Sequence, residues 1–161
     1  MPVKAIPSGF RTLTPHLVCR NAKQAIEFYQ KAFNAETVRV HYLADGSVMH
    51  AELKIGDSIL MLGEEYPDWN VLSPQSLGNS AVVIHIYTED VDSVYKQAVS
   101  AGCTGAMPVM DQFWGDRYGQ VVDPFGHRWS IATHKEDVSE EDLEKRGRAA
   151  MEQMSKGPRN E

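Results

Sequence analysis

Six histidines, 22 carboxylates and two cysteines are the groups in this 161-residue chain that could move a proton, hold a metal ion or attack carbon. His16 and His85 stand 69 residues apart (85 − 16), each in a short apolar run. Imidazole titrates near neutrality, so either residue could serve as a ligand or as a general acid or base. His50 and Glu52 alternate with Ala51 and Leu53, which points both to one side of an expected strand. Trp114, Arg117 and Tyr118 bring stacking, charge and hydrogen bonding to a glycine-punctuated stretch, FWGDRYG, suited to gripping a ligand. Neither Cys19 nor Cys103 has a neighbouring histidine, and no GxSxG or phosphate-cradling glycine loop occurs. Both thiols are expected to be buried and unpaired.

The elements that would carry these residues come twice. A strand over 13–18, with Pro15 arguing for a late start or an edge position, leads to Asn21 as N-cap and a helix from Ala22 to Phe33. Its stripe is Ala25, Ile26, Tyr29 and Phe33. Strands are expected over 36–42, 48–55 and 58–62, turning at Asp45-Gly46 and Gly56-Asp57. The order restarts with a strand over 81–87, Asp90 as cap, and a helix that ends at Gly102. Cap to cap the period is again 69 (90 − 21), as in a duplicated module. Asp123-Pro124-Phe125-Gly126 is a tight turn before a strand bearing Trp129 and Ile131.

These patterns predict an α+β fold, two βαβββ modules pairing their sheets around a cavity. An N-terminal arm over 1–11 precedes one domain over 12–136, divided into a module over 12–63, a connector over 64–79 and a module over 80–136. The connector is expected to pack down as a lid or wall through Trp69, Leu72 and Leu77, with Glu64 and Glu65 solvated. A tail over 137–161 would hold a short helix capped by Ser139.

A net charge of −6 disfavours a general nucleic-acid binder and modestly favours a cationic small ligand. No apolar run approaches the ~20 residues of a membrane span, and MPVKAIPSGF has too short an apolar core for a signal peptide. A cytoplasmic protein with no membrane partner is expected.

The stretches LTPHLVCRNAKQAIEFYQKAFNAE and FWGDRYG, with DPFGHRW and the following Thr133-His134, resemble the vicinal oxygen chelate superfamily of glyoxalase I, bleomycin-resistance proteins and extradiol dioxygenases, and within it the PhnB-like branch. The resemblance implies the paired-module fold and commonly a homodimer. In metal-dependent members, equivalent strands supply four His or Glu ligands to a divalent ion. Counted from cap and helix, and for the last from the Asp-Pro-Phe-Gly turn, those positions fall at Thr14, near Met61, at Val83 and at Ser130, none a usual ligand. The first expectation is therefore a small-molecule-binding protein without a cofactor, as bleomycin-resistance relatives sequester a drug. The alternative is a divalent-metal-dependent lyase, isomerase or dioxygenase with a shifted site at His16, His85 and Glu52, to which His50 or His134 could add a ligand. Metal-free acid–base chemistry by His16 or His85, with Arg117 holding an anionic substrate, is a third reading. In the plainest one, the two histidines are hydrogen-bonded cavity wall, His127 and His134 fix the hairpin, and Asp116 pairs with Arg117.

Overall fold

The computed structural model describes residues 3–155. Strands β1 (His16–Cys19), β2 (Glu36–Tyr42), β3 (Val48–Ile55) and β4 (Ser58–Glu64), with helix α1 (Ala22–Phe33), form the first module. A connector holding a 3-10 turn and the four-residue α2 (Pro74–Leu77) follows. The second module comprises β5 (Val83–Tyr87), α3 (Val91–Ala101), β6 (Thr104–Asp111), β7 (Asp116–Val122) and β8 (Arg128–His134), and α4 (Glu140–Ser155) closes the described chain. The sheets run β1-β4-β3-β2 and β5-β8-β7-β6, with the first strand of each parallel to its neighbour and the other pairs antiparallel. This is an α+β fold of two βαβββ modules.

Alternation sorts the side chains. Leu17, Ala51, Leu53, Leu60 and Leu62 lie in the core under α1, while His16, Met61 and Glu52 share the opposite face. The modules meet chiefly through their helices, α1 against α3, and Tyr29 and Phe33 of α1 reach Trp129 of β8 with ring centroids 5.4 and 4.7 Å apart. Each sheet thus has a helix on one face and an open face on the other. On the second sheet, Val83, Tyr87 and Met110 are exposed on the open side.

Carboxylates fasten the parts together. Asp123 accepts from Tyr29 Oη–H at 2.6 Å and Trp129 Nε1–H at 2.9 Å, and its other oxygen accepts from the backbone N–H of Phe125 and His127. Beside it, His127 Nε2 lies 3.1 Å from the Val18 carbonyl, so one turn joins β1, α1 and β8. At the start of α1, where backbone N–H groups lack partners, Glu64 accepts from the N–H of Asn21 and Ala22.

Several expectations change. β1 begins at His16 because Pro15 offers its carbonyl to Met61 N–H but has no N–H of its own. The connector does not pack down through Trp69 and Leu77, which are 77% and 63% exposed; Ser73 and Pro74 are buried instead. Glu65 is no free carboxylate, for Ser76, Arg20 and Ser73 all donate to it and hold its pKa down to about 2. The stretch expected as a loop at 114–119 is already strand from Asp116 onward.

Candidate functional site

Strand register sets the chemistry-bearing residues in two matching rows. In the first sheet His16 lies opposite Met61, Met61 opposite Glu52, and Glu52 opposite Arg39. In the second, His85 lies opposite Ser130, Ser130 opposite Gln120, and Gln120 opposite Met107. The duplication is visible here in tertiary structure: His16 corresponds to His85, Met61 to Ser130 and Glu52 to Gln120.

The first row is compact. The His16 and His50 rings meet edge to face, centroids 5.6 Å apart, reaching over β4 where Gly63 has no side chain. His50 Nε2 stands 3.5 Å from Glu52 Oε1 and Arg39 Nε 3.6 Å from Glu52 Oε2. Sequence reasoning brought His16, His50 and Glu52 forward but missed Arg39. Two bulges between β2 and β3 break the count that would have paired it with Glu52.

The second row is aromatic. His85 Nδ1 shares a 2.7 Å hydrogen bond with Ser130 Oγ, and its ring stacks on Tyr118 at 6.0 Å and meets Tyr87 at 4.4 Å. Gln120 Nε2–H donates to Tyr118 Oη at 2.6 Å. At the end of the row, the buried Asp116 accepts from Tyr87 Oη–H and Trp114 Nε1–H and bonds His134 Nδ1 at 2.8 Å. Burial opposes its ionisation, but the bonds from His134, Tyr87 and Trp114 outweigh that and hold its carboxyl below the usual range. Trp114 and Tyr118 pack edge to face at 5.5 Å. Arg117 is elsewhere. As the neighbour of Tyr118 on one strand it faces the opposite side, where it makes a two-point ion pair with Asp92 of α3 and a third bond to Asp111. It does not pair with Asp116, as the sequence suggested, and is already occupied by carboxylates.

Among the described residues no hydrogen bond, ion pair or ring contact joins His16 to His85 within one chain. A cavity of about 650 Å³ lies between the N-terminal arm, the β3–β4 turn and β5; it reaches His85 and Tyr87 but not His16, His50 or Glu52. Burial raises the pKa of both thiols, that of Cys103 up to about 12, which leaves them protonated and unreactive.

The model of the glyoxalase/bleomycin resistance protein/dioxygenase superfamily matches residues 11–131, about three quarters of the chain. The chain belongs to that superfamily. Uncharacterized proteins of Mycobacterium bovis and Mycobacterium tuberculosis are each 39% identical to it over 148 residues, spanning 90% of this chain and 95% and 85% of theirs. Among solved structures, TioX from Micromonospora sp. ML1 superposes with a TM-score of 0.63 at 23% identity, covering 77% of this chain and 98% of its own. A Bacillus cereus PhnB protein, described as a putative 3-demethylubiquinone-9 3-methyltransferase, gives 0.59 at 18%, covering 76% and 99%. At these identities the two structures show the shared fold.

Register puts His16 level with Met61 and His85 level with Ser130. Beside the two histidines the rows carry a thioether, Met61, and a hydroxyl already bonded to His85, Ser130, neither a usual ligand of a divalent ion. Within one chain, the described residues hold no group of three or more His, Cys, Asp or Glu standing together.

Burial with the nearby His50 lowers the pKa of His16, burial lowers those of His85 and His127 against the pull of Asp116 and Asp123, and Asp137 with Asp116 raises that of His134. As pH falls from the ordinary imidazole value to the lowered ones, the unfolded chain binds protons the folded one refuses, so the first three cost stability. The His134 contribution is complete below the ordinary value and lost as pH rises through its raised one. In an NMR titration of the imidazole C–H signals, His134 is expected to titrate last on acid-to-base passage and His16, His85 and His127 first; the reverse order would contradict the site's hydrogen bonding.

Proposed function

We propose that this is a glyoxalase-like, small-molecule-binding protein of the PhnB-like type, a cytoplasmic homodimer that holds a small organic molecule against its open sheet faces without the superfamily's usual four-ligand metal set. The observation that carries this reading is the content of the two rows: Met61 and Ser130 stand where two further ligands would be needed beside His16 and His85. Around them lie groups that recognise rather than react. Tyr118, Tyr87 and Trp114 offer stacking surface, and Gln120, Ser130, His85, His50 and Glu52 offer hydrogen bonds. Each open face is half a cavity, and the exposed Val83, Tyr87 and Met110 favour closure by a second copy. The methyltransferase activity named for the Bacillus cereus protein is not part of this reading, because no nucleotide-binding glycine pattern accompanies it here.

A divalent-metal lyase, isomerase or dioxygenase is the second reading, favoured by the two histidines at equivalent register positions. One preparation separates the two. Protein purified without an affinity tag is expected to sediment as a two-chain particle with well under one ion per chain, and to melt unchanged with nickel, zinc, manganese or iron(II). One tightly held ion per chain, lost in the His16→Ala/His85→Ala double variant, would install the metal enzyme in its place. A monomer at working concentration would overturn the shared cavity.

A further inference from the structure

Resting on the small-molecule reading above, we infer that Glu52 is the receptor for a basic nitrogen of the bound molecule, so that the ligand is an amine or amidine cation. Among the described residues, Glu52 Oε2 is the one buried side-chain polar atom without a hydrogen-bond partner. The side chain is only 10% exposed. A carboxylate oxygen sealed from solvent with no donor at hydrogen-bond distance is in a costly arrangement unless something arrives to donate.

The other two buried carboxylates with which it can be compared are saturated. Asp123 accepts four hydrogen bonds, and Asp116 takes three side-chain partners. Glu52 takes none. Its nearest cation, Arg39, is 3.6 Å away at Nε, beyond the 2.7–2.9 Å range typical of a charge-assisted bond, and the Arg39 side chain is 58% exposed. His50 stands at 3.5 Å. Glu52 belongs to the open-face row between Met61 and Arg39, so a ligand lying along that row reaches its buried oxygen once the exposed Arg39 side chain turns aside, and meets a carboxylate flanked by a thioether and two imidazole rings. At the equivalent place in the second module Gln120 already spends an N–H on Tyr118. One row therefore offers a carboxylate oxygen without a hydrogen bond, and the other offers aromatic faces beside a carboxylate, Asp116, whose partners are already in place, an arrangement that orients a molecule with a positive end and a planar end.

Full-length protein titrated with benzamidinium, and separately with neutral benzamide of the same shape, tests the assignment by amide NMR. Benzamidinium is expected to saturate with shifts centred on 50–53 and 61, and to bind about tenfold or more tighter than benzamide. Glu52→Gln should abolish that preference while melting at the same temperature or higher, and Arg39→Met should leave the preference intact. Undiminished benzamidinium binding by Glu52→Gln, loss of the preference in Arg39→Met, or a marked drop in melting temperature of the glutamine variant would each overturn it. Equal affinity for the two probes would sink the cation site while leaving the small-molecule cavity standing; failure of both probes to bind would sink both.

Discussion

Replacing Asp123 with alanine is expected to destabilise the protein by about 3–5 kcal/mol, the largest loss from any single polar side chain. The carboxylate is buried and accepts from Tyr29, Trp129, Phe125 and His127, so its removal strands four donors in the core at once. Two of those donors belong to rings at the junction of the modules, where Tyr29 packs on Trp129 and on Phe125. The damage should therefore appear as loss of cooperativity between modules as well as a lower midpoint. Urea unfolding monitored by tryptophan fluorescence and by far-ultraviolet dichroism reads both. Tyr29→Phe, which removes only one donor, should cost about 1–2 kcal/mol by the same measurement. An Asp123→Ala protein as stable as the parent would mean that the Asp-Pro-Phe-Gly turn is held by its backbone alone.

Gly115→Ala is the second large effect. Gly115 has φ +99°, a conformation that an L side chain rarely adopts, and an added Cβ would collide with the carbonyl of Glu136. That collision falls on the segment it holds, because the Gly115 carbonyl accepts from the N–H of both Lys135 and Glu136. Backbone strain and displaced hydrogen bonds together predict about 2–4 kcal/mol. The neighbours Trp114 and Asp116 belong to the hydrogen-bond group that includes Tyr87 and His134, so the change should also disturb the aromatic row. Ligand affinity should fall even at temperatures where the variant is folded. A variant with normal stability and altered affinity, or the converse, would separate the turn from the row it is argued to position.

The two modules were legible in the chain because their signals are local. Asn21 and Asp90 accept from the third residue of their helices, α1 spans the expected residues, and the 69-residue period recurs in the strand rows. Strand parity also placed His50 and Glu52 on one face before any partner strand was known. Parity failed where the argument needed the next strand over. The first strand was expected from Leu13, whereas β1 starts late, after Pro15, and it is His16 that stands opposite Met61. Arg117 was grouped with Trp114 and Tyr118 by adjacency, yet strand from Asp116 onward sends consecutive side chains to opposite faces.

By itself the sequence determined the fold and the types of group available: hydrophobic period, caps and turns are set by neighbours along the chain, and composition decides what charge a surface can carry. Only the tertiary structure decided which groups meet. The long ion pair of Arg39 with Glu52, the donors on Asp116 and the lack of any hydrogen bond to Glu52 Oε2 depend on bulges, register and burial across strands far apart in the chain. A one-residue bulge changes such neighbours without leaving a mark in the hydrophobic pattern, and for that reason the site had to be read in three dimensions.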